Sequence, residues 1–420
     1  MPTSAKYFIS HFTFLILLIF SSINIYAQNG QNFPEQPPMG WNSWNYFGKD
    51  NVNEEIVKQV IDSMAEKGLN SFGYEYIVID GGWRKDTLGA NGELLVNDKF
   101  PSGMKAIAEY AHSKGFKFGL HTVPGSHDCG LDKVGGWSHE KVQFKQFMDW
   151  GLDFIKLDRC RFSLDDNPDY SRRDQRWFEG WGKNGNNIEE AYSRWNKLIN
   201  NSGREILFSA SVYRFYDWYP KLTNMGRTTG DIKSIQTGGA VFDDLGQPNI
   251  HSVMNVADLN NKYSEYAGSG YWNDPDMLVT GEQGLTFEEQ KAHFALWCIM
   301  SSPLILGNDP RNMTEEELKI ITNKHSIAIN QDPTEQGRKM KVVGSSEIWA
   351  KKLKDGSYGV LLLNRDPVHS KEIVLEFEDL DLKAEVDLYD IYAEKNLGRF
   401  KKKYKALVGS HSAIFLKVNN

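Results

Sequence analysis

From Pro37 to about Pro333, short apolar runs alternate with stretches of helical period. Tyr76–Asp80, Phe116–His121, Phe154–Asp158, Ile206–Ser209 and Pro303–Leu306 are apolar runs that end at polar or glycine-rich loops. The clearest helix is Asn53–Lys67. Asn53 caps it, Ile56, Val57, Val60, Ile61 and Met64 share one face, and Gly68 stops it. Buried strands alternating with such helices predict a parallel sheet. About eight such units over nearly 300 residues predict a closed (β/α)8 TIM barrel in residues 37–333. An open doubly wound sheet is the alternative, and no glycine-rich dinucleotide fingerprint supports it.

After Pro333 the period changes. Glu347–Leu353, Tyr358–Arg365, Glu372–Phe377, Glu385–Tyr392 and Ala413–Val418 read as strands, and Asp355-Gly356 signals a hairpin. Residues 334–420 are therefore expected to form a small C-terminal antiparallel β-sandwich domain without a catalytic cluster. At the other end, Lys6 precedes the apolar run Phe12–Phe20, and Ser21–Ala27 ends in a small residue. Residues 1–27 read as a cleaved secretory signal peptide, with 28–36 an N-terminal extension. The run is short for a membrane span of about 20 residues. The mature chain is thus expected to be periplasmic or extracellular, with no stable membrane insertion. An uncleaved anchor is the alternative.

Composition narrows the partners. The net charge of −7 argues against nucleic acid, and the aromatic content of 13% suits a protein that packs sugar faces on rings or one with a large core. The chain has three cysteines. Cys298 lies in the apolar run Phe294–Met300 and reads as a buried thiol, which leaves Cys129 and Cys160 as the candidate pair. The pattern does not set an oligomeric state.

Barrel chemistry sits where strands end. Asp80, Asp158, Asp231, Asp274 and Asp276 all fall at such ends, with Trp83 and Trp272 close by in sequence. One such Asp is commonly a turn former; several, beside tryptophans, suit a sugar ring and its hydroxyls. Lys156 and Asp158 are two apart on one strand and point to one side. A cation there favours an ionised carboxylate, as a nucleophile requires, or makes a structural ion pair. Arg227, four residues before Asp231, is suited to hold an oxygen-rich ligand.

The chain resembles glycoside hydrolase family 27, the α-galactosidase and α-N-acetylgalactosaminidase family. The resemblance lies in Pro38-Met39-Gly40-Trp41-Asn42-Ser43-Trp44, Lys156–Cys160, Arg227–Ile232, Trp272–Met277, Gly284-Leu285-Thr286, Gly307-Asn308-Asp309 and Asn330-Gln331-Asp332-Pro333. It implies a retaining exo-glycosidase acting on an oligo- or polysaccharide without metal or organic cofactor. Asp158 would be the nucleophile and Asp231 the general acid/base, with carboxyls about 5–5.5 Å apart. Trp44 would stack on the ring, and Asp80, Lys156 and Arg227 would bind hydroxyls. Asp276 and Met277 would form the far wall, and Cys129–Cys160 a disulfide beside the nucleophile.

Several positions depart from that family's pattern. Gly81 stands where a second acid follows Asp80. His121 replaces a Tyr, as a hydroxyl donor or a packed barrel histidine. Arg159 follows the nucleophile. Ser211 stands roughly at the reader of the sugar 2-position. Arg84, Arg159 and Arg214 would add positive charge near the mouth, or be solvated loop charges. The expected substrate is a terminal α-galactoside or a modified galactose-like unit, anhydro, sulfated or acidic. The alternatives are N-acetylgalactosamine, β-L-arabinopyranose, transglycosylation, or a silent lectin-like barrel.

Overall fold

The computed structural model describes residues 34–125, 128, 134–159, 188–244, 247, 250–268, 270–382 and 385–419. The expected signal peptide, most of the N-terminal extension, and both Cys129 and Cys160 lie outside the described residues.

Eight parallel strands form the first part: β1 (Met39–Asn42), β2 (Tyr76–Ile79), β3 (Lys117–Thr122), β4 (Phe154–Asp158), β5 (Leu207–Ser211), β6 (Met225–Arg227), β7 (Trp272–Asp274) and β8 (Leu304–Leu306). They pair in chain order, with β8 beside β1. Past β7, Leu278 bridges in parallel to Leu306, and its N–H donates to the Ile305 carbonyl at 2.7 Å. The ring is therefore a (β/α)8 barrel. The apolar runs read from the sequence fall on β2, β3, β4, β5 and β8 to within two residues. The strands β6 and β7 have three residues each and carry too few apolar positions to announce themselves.

Periodicity placed the helix Glu54–Glu66 well. Asn53 accepts from the Ile56 N–H, Val57, Val60, Ile61 and Met64 are buried, and Gly68 takes φ 66° just past the end. Such a helix gains its stability mainly by burying that face on the barrel. Helix Phe287–Ile299 is buried nearly all round. It lies between barrel and C-terminal sheet, and Cys298 within it is a buried free thiol.

Eight antiparallel strands follow: β9 (Arg338–Val343), β10 (Ser346–Lys352), β11 (Tyr358–Asn364), β12 (Lys371–Glu376), β13 (Val386–Asp390), β14 (Lys395–Phe400), β15 (Lys403–Val408) and β16 (Ser412–Asn419). Six pair in the order β9-β10-β11-β16-β13-β14, and β12 pairs with β15. Ile348, Val360 and Leu362 of the larger sheet meet Ile373 and Leu375 of the smaller in one core. The Asp355-Gly356 hairpin is present, with Gly356 at φ 84°. The strands β9, β14 and β15 were not expected from the sequence. All three are largely exposed, and Lys or Arg interrupts their apolar residues, so no long apolar run marks them. Arg365 ties this part to the barrel, holding Asp243 at 2.7 Å and Asp258 at 2.8 Å.

Candidate active site

The ends of β1 to β4 build the floor of one cavity. Parallel pairing sets His121 beside Lys156, Lys156 beside Ser209, and Asp158 beside Ser211. Lys156 Nζ donates to Asp80 Oδ2 at 2.7 Å and lies 3.9 Å from Asp158 Oδ2. Asp80 also accepts from Asn42 Nδ2 at 3.0 Å and from the Gly81 N–H at 2.9 Å. Burial alone would raise the Asp80 carboxyl, but the Lys156 ammonium overcomes it and holds the group well below the usual carboxylate range. Burial alone would lower Lys156, and Asp80 and Asp158 together raise it above an ordinary lysine. The pair is locked in its charged form.

Asp158 is clamped at both oxygens. Ser211 Oγ donates to Oδ2 at 2.9 Å, and Tyr213 OH donates to Oδ1 at 2.8 Å. Burial, reinforced by Asp158, pushes the Tyr213 phenol well above its ordinary value, so it keeps its proton and donates. The Tyr213 ring lies 5.5 Å from the Arg159 guanidinium and 5.8 Å from that of Arg227. Its backbone sits at φ 62°, in the left-handed region. A tyrosine there costs on the order of 1 kcal/mol, which the surrounding contacts must outweigh.

The opposite wall comes from β6 and β7. Arg227 Nη2 holds Asp231 Oδ1 at 3.1 Å and Asp276 Oδ2 at 3.0 Å. Asp276 takes φ 100° and accepts from the Ile232 and Met277 N–H groups, both at 2.8 Å. Burial raises its carboxyl, Arg227 opposes that, and Asp231 and Asp274 add to it. The Asp231 side chain is 54% exposed, against 5% for Asp158. One carboxylate thus lies deep and the other at the rim.

Trp44, Asp80, His121, Lys156, Asp158, Arg227, Asp231 and Met277 all line this cavity, whose empty space is about 440 Å³ with its open mouth. Ser211 and Asp276 stand behind the lining. Ser211 is fully buried against Asp158, and Asp276 acts on the cavity through Arg227. Asp274 is buried under the same wall and accepts from the Asp276 N–H. Among the described residues, no group of three or more His, Cys, Asp or Glu is placed to hold a metal ion.

The three arginines expected at the mouth have separate positions. Arg84 is buried and ion-paired with Asp128. Arg159 is buried against Tyr213. Arg214 is exposed and donates to Tyr216 OH at 2.8 Å. Sequence reasoning missed Tyr213 and Asp128 as cavity residues. Tyr213 lies two residues past a strand end, a signal that was available; Asp128 follows no apolar run or helical pattern in the sequence and gave none.

The comparisons with known proteins agree with this fold. The family profile described as "Alpha galactosidase A" matches residues 36–332, and "Alpha galactosidase C-terminal beta sandwich domain" matches residues 343–418. Alpha-galactosidase 2 of Arabidopsis thaliana is 35% identical over 383 residues, covering 90% of this chain and 87% of its own length. Alpha-galactosidase A of Cellvibrio japonicus is 34% identical over 401 residues, covering 94% and 92%. The crystal structure of alpha-galactosidase I from Mortierella vinacea superposes with a TM-score of 0.82 at 27% identity, covering 93% of this chain and 98% of that one. The barrel with its C-terminal sandwich, and these relatives, define the chain as a glycoside hydrolase. It belongs to glycoside hydrolase family 27, the α-galactosidase family. No helix among the described residues is long and apolar enough to cross a membrane.

Proposed function

We propose that this chain is an exported exo-glycosidase that removes a terminal α-galactosyl or closely similar uncharged residue from a glycan, with retention at the anomeric carbon. The observation that carries the reading is the pairing of a deep carboxylate with a rim carboxylate in one cavity. Asp158 has its oxygens fixed by Ser211 and Tyr213, and Asp231 stands at the opening on Arg227.

Asp158 attacks the anomeric carbon as the bond to the leaving oxygen breaks. Asp231 gives that oxygen its proton. A water then attacks the glycosyl-enzyme, Asp231 takes the water's proton, and Asp158 leaves as the carboxylate. Lys156 and Asp80 offer a donor and an acceptor to ring hydroxyls, and Trp44 offers an apolar face. The buried Arg84–Asp128 pair supports an uncharged sugar over a sulfated or acidic one, since Asp128 answers the cation that would have bound the anion. The charged and apolar leader before residue 28 supports export.

The test is proton NMR of the sugar first released from an aryl α-galactoside, beside mass spectrometry of terminal sugars released from chemically varied glycans. The α-anomer of galactose is expected first. Release of the β-anomer first would refute retention. Preferential release of a sulfated, acidic or anhydro unit would refute the uncharged-galactose assignment.

A further inference from the structure

Close to the Asp80–Lys156 pair stands a buried Arg84–Asp128 ion pair, whose carboxylate lines the cavity. Arg84 begins the short strand Arg84–Leu88 that follows β2, and its side chain is fully buried. Its Nη2 donates to Asp128 Oδ2 and lies 3.3 Å from His121 Nδ1, while Nη1 lies 3.4 Å from Thr122 Oγ1. A guanidinium only donates, so His121 Nδ1 accepts and the ring proton sits on Nε2. That nitrogen faces the cavity, 3.9 Å from Asp80 Oδ1 and 3.8 Å from Asp158 Oδ2. One buried arginine therefore sets both the position of Asp128 and the tautomer of His121.

Gly81 leaves the room that this arrangement uses. A Cβ there would stand 3.3 Å from the Trp44 ring and 3.8 Å from Asp128 Oδ2. A longer side chain would enter the space between ring and carboxylate. With glycine, Asp128 reaches the cavity directly.

We infer that Asp128 and His121, held by Arg84, are specificity determinants that read free hydroxyls on the sugar edge lying between Trp44 and Gly81. Asp128 accepts from one hydroxyl, and His121 Nε2–H donates to a neighbouring oxygen. A sulfate or carboxylate at that edge meets the Asp128 carboxylate and is repelled. This inference rests on the galactoside reading above and adds the residues that select the sugar. Arg84 acts through its two partners and is a positioning residue.

The experiment is calorimetric binding of D-galactose and each monodeoxy-galactose to the full chain, with aryl α-galactoside hydrolysis followed in parallel. Wild type is expected to bind one deoxy sugar at least about 30-fold more weakly than galactose. Asp128→Ala should abolish that discrimination, binding galactose and that deoxy sugar within about threefold of each other. Asp128→Asn, of unchanged shape, should reduce it and guards against a folding defect. Arg84→Met should abolish it, and Arg84→Lys should restore part of it. A merely structural Arg84 would weaken every sugar by one common factor, and that result overturns the inference. So does discrimination that survives in Asp128→Ala, or a wild type that binds no galactose. Galactose binding with this discrimination but without hydrolysis would overturn the proposed function and leave the inference standing.

Discussion

Tyr213 donates its phenol hydroxyl to Oδ1 of Asp158 at 2.8 Å across 55 residues of chain. With Ser211 on the other oxygen, it leaves the carboxylate one orientation toward the cavity. Hydrogen bonds to charged groups contribute about 1.5–3 kcal/mol. Tyr213→Phe should therefore lower kcat/KM roughly 10- to 100-fold. Activity above half of wild type would show that the clamp does not matter to turnover.

The two carboxylates should fail differently. Asp158→Ala should lose on the order of 10⁴-fold or more in kcat, and azide should restore part of it by attacking from the vacated side. Near-normal turnover in that variant removes Asp158 as nucleophile. Asp231→Ala should harm substrates with poor leaving groups far more than activated aryl glycosides. Equal losses on both substrate types would count against Asp231 as the acid.

Lys156→Met should destabilise the fold by about 3–5 kcal/mol at neutral pH, because Asp80 would be left buried beside fewer cations. The Asp80 carboxyl is depressed in the folded state. Its contribution is therefore present above the ordinary carboxylate range and lost as pH falls through the depressed value. The gap between wild type and variant should narrow in acid. Denaturant unfolding at several pH values checks this, and a gap that widens in acid contradicts it.

Glu282 is the opposite case. Burial first, with Asp276 adding to it and the Ile235 N–H opposing, pushes its carboxyl from 4.5 up to about 8. A raised carboxyl contributes stability that is full below 4.5 and is lost as pH rises to about 8. Glu282→Gln keeps an acceptor for the Ile235 N–H, which now bonds Oε2 at 2.9 Å. The variant should match wild type in melting temperature near pH 5 and exceed it near pH 8.5. A difference that is constant with pH would reassign the group's titration.

The sequence by itself determined the strand–helix alternation and the acids that leave the barrel at strand ends. Period-two and period-3.6 patterns are local, so β4 and the helix Glu54–Glu66 were legible to within a residue. The same-side placement of Lys156 and Asp158 also follows from one strand's alternation. Only the tertiary structure decided which side chains meet from separate loops. Arg84 and Asp128 are 44 residues apart, Tyr213 reaches Asp158 through a left-handed backbone, and Ser211 turns to the carboxylate instead of lining the cavity. Such pairings depend on barrel closure, strand register and loop conformation. No periodicity in the chain encodes these, because each partner's environment is built by residues remote from it in sequence.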